Sequence, residues 1–236
     1  MTRNAVWYRH TVIAEALRQV NERIAAAAER VGRDPSEVML VAVSKTHPVS
    51  TLQEALDAGA RVFGENKVQE AESKITGIGR DAAEWHLIGH LQSNKARKAV
   101  QLFDVIHSVD SIELAERLER LCDEEGRASI SVLVQVDLAG EQTKSGVPPS
   151  ELPHIAAYLK GCSHLKFEGL MVLPPFSDAP EATRPYFKQL RELRDAVVPG
   201  GQLSMGMSHD FEVAIEEGAT MVRVGTAIFG ERSYPA

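Results

Sequence analysis

From Val38 to the end of the chain, short apolar runs alternate with longer stretches of helical period, and this alternation constrains the fold more than any other feature. The runs are apolar on both faces, as in parallel strands covered on both sides, and the stretches between them are long enough for crossover helices. The first run is Val38–Ser44, followed by a helix that Ser50 and Gln53 open as a capping box and that closes near Gly59. Arg61–Gly64 leads to a helix after Asn66, and Trp85–Ile88 to one through Ser93 to Leu102. Asp104–His107 precedes the best-marked helix, with Asp110 and Glu113 as capping box, Leu114, Leu118, Leu121 and Cys122 as apolar face, and Gly126 after it. Ile130–Val136 is followed by a polar loop around Gly140 to Gly146 and a helix starting near Pro149 or Ser150. Phe167–Val172 precedes a helix from Pro180 to Val197, Gln202–Met205 one from Asp210 to Glu217, and Met221–Val224 the segment Gly225–Phe229. The second and seventh runs are the weakest, with a loop as the alternative. Eight such units predict a TIM-like (β/α)8 barrel rather than an open doubly wound sheet of five or six strands.

Met1 to Ala28 mixes Arg3, Arg9, His10, Glu15, Arg18, Glu22 and Arg23 with apolar residues, which reads as an additional amphipathic helix and neither a signal peptide nor a membrane span. The 236 residues suffice for a barrel as one domain over 1–236. With 26 basic and 33 acidic residues the net charge is -7, which argues against nucleic acid or an acidic membrane as partner. The basic run Lys95, Arg97, Lys98 lacks aromatic interleaving and reads as a solvated helix face. Cys122 and Cys162 are too few for a disulfide framework, which fits a reducing cytoplasm.

In such barrels chemistry gathers after the carboxyl ends of the strands, where this chain places Ser44–His47, Glu65–Lys67, Gly89–Gln92, Gly206–Ser208 and Gly225–Thr226. Lys45 ends the most apolar run, where a low-dielectric wall lowers an amine's pKa and suits it to Schiff-base chemistry; the alternative is a lysine that snorkels to water. Lys67 and Lys144 are rival amines. Ser204–Asp210 and Val224–Ala227 offer hydroxyls, glycines and helix starts after the seventh and eighth strands, the usual barrel phosphate site. Ser208 and Thr226 also read as ordinary N-caps, a role compatible with anion binding. Arg223, inside the last strand, needs an acceptor: a carboxylate such as Glu231, or the pyridine nitrogen of a ligand, which it would keep unprotonated. His86, His90 and His107 show no zinc-ligand spacing and read as structural or loop histidines.

The segments Leu40–Thr46, Phe63–Glu70, Trp85–Lys95, Ser204–Ser208 and Val222–Gly230 together closely resemble the pyridoxal phosphate homeostasis protein family, itself similar to the N-terminal barrel domain of alanine racemase. The resemblance runs through nearly the whole chain. It implies pyridoxal 5'-phosphate (PLP) as cofactor, held as a Schiff base on Lys45, with Asn66 beside the ring, Met207, Ser208, Gly225 and Thr226 on the phosphate, and Arg223 facing the pyridine nitrogen. His47 departs from a position where family members commonly carry Lys, which alters the charge at the mouth, and His209 fills a variable place.

The implied role is PLP homeostasis, exchanging or buffering the cofactor for apo-enzymes that accept it, as a monomer and without robust turnover. Racemisation needs a second acid/base across the substrate. Alanine racemase draws on an extra domain and a partner subunit that this chain is not expected to have, and Tyr8, Tyr158, Tyr186 and Tyr234 fall in helices or the tail. The alternatives are a PLP-dependent amino-acid racemase of limited activity and a Schiff-base aldolase or phosphosugar isomerase.

Overall fold

The computed structural model describes residues 3–140 and 145–231, with side chains from Val12 onward. Eight parallel strands, β1 (Met39–Val43), β2 (Val62–Glu65), β3 (Glu84–Leu87), β4 (Val105–Val109), β5 (Ile130–Val136), β6 (Leu165–Val172), β7 (Gln202–Met207) and β8 (Met221–Val224), close into a barrel in chain order. β8 returns to β1 with Met39 to Ala42 beside Met221 to Val224. The helices are α1 (Arg3–Arg30), α2 (Val49–Asp57), α3 (Val68–Ile78), α4 (Ala96–Leu102), α5 (Ile112–Glu124), α6 (Leu152–Lys160), α7 (Arg184–Val197), α8 (Phe211–Glu216) and α9 (Thr226–Phe229). The weakest-marked runs, the second and the seventh, are both strands.

Strand residues divide by parity. Ala42, Phe63, Trp85, Leu87, Ile106, Val132, Val134 and Leu203 face the helices and form the main core with their apolar stripes. Val41, Val105, Leu133, Met171 and Met221 fill a separate core inside the barrel. Gly64 belongs to the inner set: a Cβ there would stand 2.9 Å from a Val41 methyl and 3.1 Å from Ile88. Its register partner His86 shares that face. His86, His107, Ser204 and Arg223 are all buried.

The extra helix α1 buries Ile13, Leu17, Val20, Ile24, Ala27 and Ala28, a stripe of helical period. It lies against α2, α8 and α9. Arg23 pairs with both carboxylate oxygens of Glu212 at 2.8 and 3.0 Å while covering the Phe211 ring, and Arg33 donates to the carbonyls of Ile215 and Ala219.

Several local expectations need correction. The N-cap of α5 is Ser111, whose Oγ accepts from the Leu114 amide at 3.1 Å; Asp110 lies one residue out and faces His90. Ser50 stands inside α2, which starts after Pro48 with no side-chain cap, because the proline's fixed φ already breaks the strand-end turn there. α6 begins at Leu152, after a turn at residues 149–151. The span from Pro180 opens as a 3-10 turn before α7. Thr226 lies within α9, with Gly225 at the cap position, and Asp210 rather than Ser208 precedes α8. Tyr158 and Tyr186 lie in helices as expected, whereas Lys144, Tyr234 and the Tyr8 side chain fall outside the described residues.

Candidate functional site

A cavity of about 520 Å³ opens at the carboxyl ends of the strands. Lys45, Asn66, Met207, Ser208, Arg223, Gly225 and Thr226 all line it, together with His47, Gly89, His90 and His209. Lys67, the rival amine among the described residues, is not on its wall and instead precedes α3.

Lys45 is set by an unusual turn. Thr46 is the one non-glycine described residue with positive φ, at 69°, a conformation that costs a β-branched residue on the order of 1 kcal/mol or more. A buried ionic group holds that turn from both sides. The Thr46 amide donates to Glu70, the Ser44 hydroxyl donates to Glu65, and Lys74 Nζ donates to the Ser44 carbonyl at 2.7 Å, to Glu65 at 2.7 Å and to Glu70 at 2.8 Å. Burial pushes the Glu65 carboxyl up, with Lys74 opposing it. Burial also works against ionised Glu70, but the hydrogen bonds from Lys74 and Thr46 outweigh it and hold that carboxyl low. Lys74 escaped the sequence reading because it lies mid-helix; its spacing of four from Glu70 was the available signal.

Asn66 projects a buried Oδ1 that has no hydrogen-bond partner, on the cavity wall. Its backbone is pressed against Gly89, where a Cβ would stand 2.3 Å from the Asn66 carbonyl oxygen. Such an orphaned acceptor in a cavity is a place for a ligand donor.

After β7, Gly206 takes φ +90°, a Cβ there would stand 2.6 Å from the Ala214 methyl, and the Met207 amide donates to Asp210 at 2.7 Å. This turn directs the Ser208 hydroxyl to the strand-end loop of β8, where it accepts from the amides of Gly225 at 3.2 Å and Ala227 at 3.4 Å. A hydroxyl and backbone amides converging at a helix start are suited to phosphate oxygens.

Arg223 does not pair with Glu231. Its Nη1 donates to Ser204 Oγ at 2.6 Å and its Nη2 to the Val172 carbonyl at 2.8 Å, because the side chain points inward across the barrel. Burial pushes the guanidinium pKa down to about 10 against the opposing charge of Asp210, so the group remains cationic at neutral pH. Two of five N–H groups are thus engaged, leaving donors for a ligand on the cavity wall. His47 packs on the Phe229 ring at 5.1 Å, and burial followed by the Lys74 charge lowers its pKa. His86 and His107, which the sequence presented as structural or loop histidines, are both buried in the barrel interior. They are hydrogen-bonded to each other at 2.8 Å.

The parallel barrel with its lysine after β1 and its hydroxyl–amide cluster after β7 and β8 is of the alanine racemase N-terminal domain type, whose family model matches residues 16–233. A curated pyridoxal phosphate homeostasis protein of Aquifex aeolicus is 44% identical over 225 residues, spanning 93% of this chain and 98% of that one. The chain belongs to the pyridoxal phosphate homeostasis protein family. The solved structure of PipY from Synechococcus elongatus with PLP bound is 42% identical, with a TM-score of 0.80 over 92% of this chain and 100% of that one. Alanine racemase from Corynebacterium glutamicum, 19% identical with a TM-score of 0.67, shares the fold over 94% of this chain but only 61% of its own.

Proposed function

We propose that this protein binds PLP in the 520 Å³ cavity and serves its homeostasis, taking up and releasing the cofactor rather than turning over substrate robustly. The observation that carries the reading is the meeting, at adjacent strand ends, of a lysine on a strained turn and an anion-binding cluster, with a buried arginine on the same wall. PLP supplies an aldehyde that condenses reversibly with amines, a phosphate and a pyridine nitrogen. The residues fit each part: Lys45 as the amine that carries the aldehyde carbon, Ser208 with the amides of Gly225 and Ala227 beside Thr226 and Met207 for the phosphate, Asn66 beside the ring, and Arg223 toward the nitrogen. The identity to PipY, solved with PLP, supports the same ligand here.

A cationic Arg223 beside the nitrogen keeps it unprotonated and the ring a weak electron sink, which favours storage over carbanion chemistry. Among the described residues no tyrosine lines the cavity. The chain acts as one cytoplasmic, monomeric domain that delivers PLP to apo-enzymes; among the described residues no helix is long and apolar enough to cross a membrane. The racemase reading has one observation in its favour: His90 reaches the cavity with Asp110 at 3.2 Å and Ser145 at 2.9 Å, an acid–base group with an orienting carboxylate.

The test is the absorption spectrum of purified protein incubated with PLP, before and after borohydride reduction, with peptide mapping. A visible band and a reduced adduct on Lys45, both lost in Lys45→Ala, are expected. A colourless protein that stays unmodified overturns the reading. Rapid exchange of amino-acid 2-protons in heavy water moves the assignment to the racemase.

A further inference from the structure

A file of buried polar side chains runs through the barrel interior from the cavity to the amino-terminal face. Arg223 Nη1 bonds Ser204 Oγ at 2.6 Å, Ser204 Oγ bonds His107 Nδ1 at 2.8 Å, His107 Nε2 bonds His86 Nδ1 at 2.8 Å, and His86 Nε2 bonds Glu84 at 2.9 Å. Ser204, His107 and His86 have no exposure, and Glu84 opens β3 with its side chain 42% exposed. Val41, Val105, Leu133, Met171 and Met221 form the apolar cluster inside the barrel beside this file.

The two ends orient the file once each imidazole between them carries a single proton. A guanidinium only donates and an ionised carboxylate only accepts. The hydrogen bond from His86 is the leading reason that the Glu84 carboxyl lies below its ordinary value, so it is the ionised acceptor. Ser204 accepts from Arg223, and because a neutral His107 with its proton on Nε2 has Nδ1 as an acceptor, the Ser204 hydroxyl donates there. His107 then carries its proton on Nε2 and donates to His86 Nδ1, and His86 carries its own on Nε2 for Glu84. Burial, followed by the nearby His86 and Arg223, holds His107 neutral, as this assignment requires.

We propose that Ser204, His107, His86 and Glu84 are positioning residues for Arg223: a polarised relay that fixes the guanidinium toward the cavity and directs every mobile proton away from it. Arg223 has no lone pair to accept a proton, so none reaches the cavity along this path. Applied to the ring nitrogen of PLP, this rests on the function proposed above and explains how a binder keeps that nitrogen unprotonated. The relay itself is a property of the unliganded chain.

The test begins on the full chain without PLP, with 15N-labelled histidine. Nδ1 of His86 and His107 should resonate as acceptors and Nε2 as N–H. A doubly protonated His107, or one carrying its proton on Nδ1, overturns the relay. Glu84→Gln, at the open end of the file where folding is least at risk, replaces an obligate acceptor by a group that also donates, and should bring in the reversed tautomers of both rings. In PLP-loaded protein the same variant should shift the visible absorption band without changing the melting temperature, and Ser204→Ala should weaken PLP binding about tenfold, with Ser204→Thr restoring it. Unchanged tautomers and an unchanged band in Glu84→Gln overturn the proposal. Failure of the unmodified protein to take up PLP overturns the cofactor reading instead, and the histidine spectra still decide the relay.

Discussion

At the scale of single residues, the site depends on groups that never touch the cavity. The turn that aims Lys45 is held by Lys74, a lysine 3% exposed between two glutamates. Replacing it by Met leaves the fully buried Glu65 without its cation, and removal of one partner of a buried pair costs about 3–5 kcal/mol. Lys74→Met should therefore lower the unfolding free energy from denaturant titration by that much and disorder the Lys45 turn; an unchanged unfolding free energy would show that the ionic group is dispensable. Thr46→Gly tests the strain at φ 69° from the other direction. Glycine tolerates that backbone, so relief of about 1–2 kcal/mol is set against the extra freedom of the unfolded chain, roughly 0.4–1 kcal/mol. The expected outcome of equilibrium unfolding is a variant as stable as the parent or slightly more so, with slower capture of PLP by a less fixed Lys45.

At the scale of elements, caps and stripes decide where helices begin and what they cover. α5 begins at Ser111, so Ser111→Ala should cost about 1 kcal/mol in chemical denaturation. Asp110→Ala removes only a pairing with the half-exposed His90, worth under about 1 kcal/mol. The sequence pattern pointed to Asp110 because Asp followed three residues later by Glu satisfies the capping-box spacing. Ser111 with Leu114 has no such carboxylate at the third position, and only the backbone trace shows which hydroxyl reaches an amide. The face of α5 was legible all the same: Leu114, Leu118, Leu121 and Cys122 are all buried. Truncating Leu118, which is fully buried, to Ala should cost about 2–5 kcal/mol.

At the scale of the whole molecule, one buried and one half-buried histidine of lowered pKa give the barrel a characteristic response to acid. The folded pKa of His107 is depressed well below 6.5 by burial, with His86 and Arg223 adding to it, and that of His47 is lowered by burial and Lys74. Below pH 6.5 the unfolded chain thus binds protons that the folded chain refuses, and stability falls as pH falls, by up to about 1.4 kcal/mol per pH unit for each such group. Above pH 6.5 both states leave these rings neutral and the contribution is fully present. Denaturation midpoints at pH 7.5, 6.5 and 5.5 should show the decline beginning on the acid side of 6.5, before the lowered carboxylates Glu70 and Glu84 titrate. A His107→Gln variant should show a shallower decline; an equal slope would assign it elsewhere.

The sequence by itself determined the eight strand and helix units, the extra first helix and the strand ends on which Lys45, Asn66, Met207, Ser208, Arg223, Gly225 and Thr226 stand. These follow from local periodicity and from the rule that parallel strands deliver their ends to one face, so no long-range geometry was needed. Only the tertiary structure decided what holds those residues. Arg223 meets Ser204 and Val172 rather than Glu231, and His86 meets His107, because inward-facing residues of different strands come together only when the barrel closes, while Lys74 reaches Ser44 from α3 outside it. Ser204 and His107 are 97 residues apart in the chain, and no local pattern relates two polar side chains at that separation.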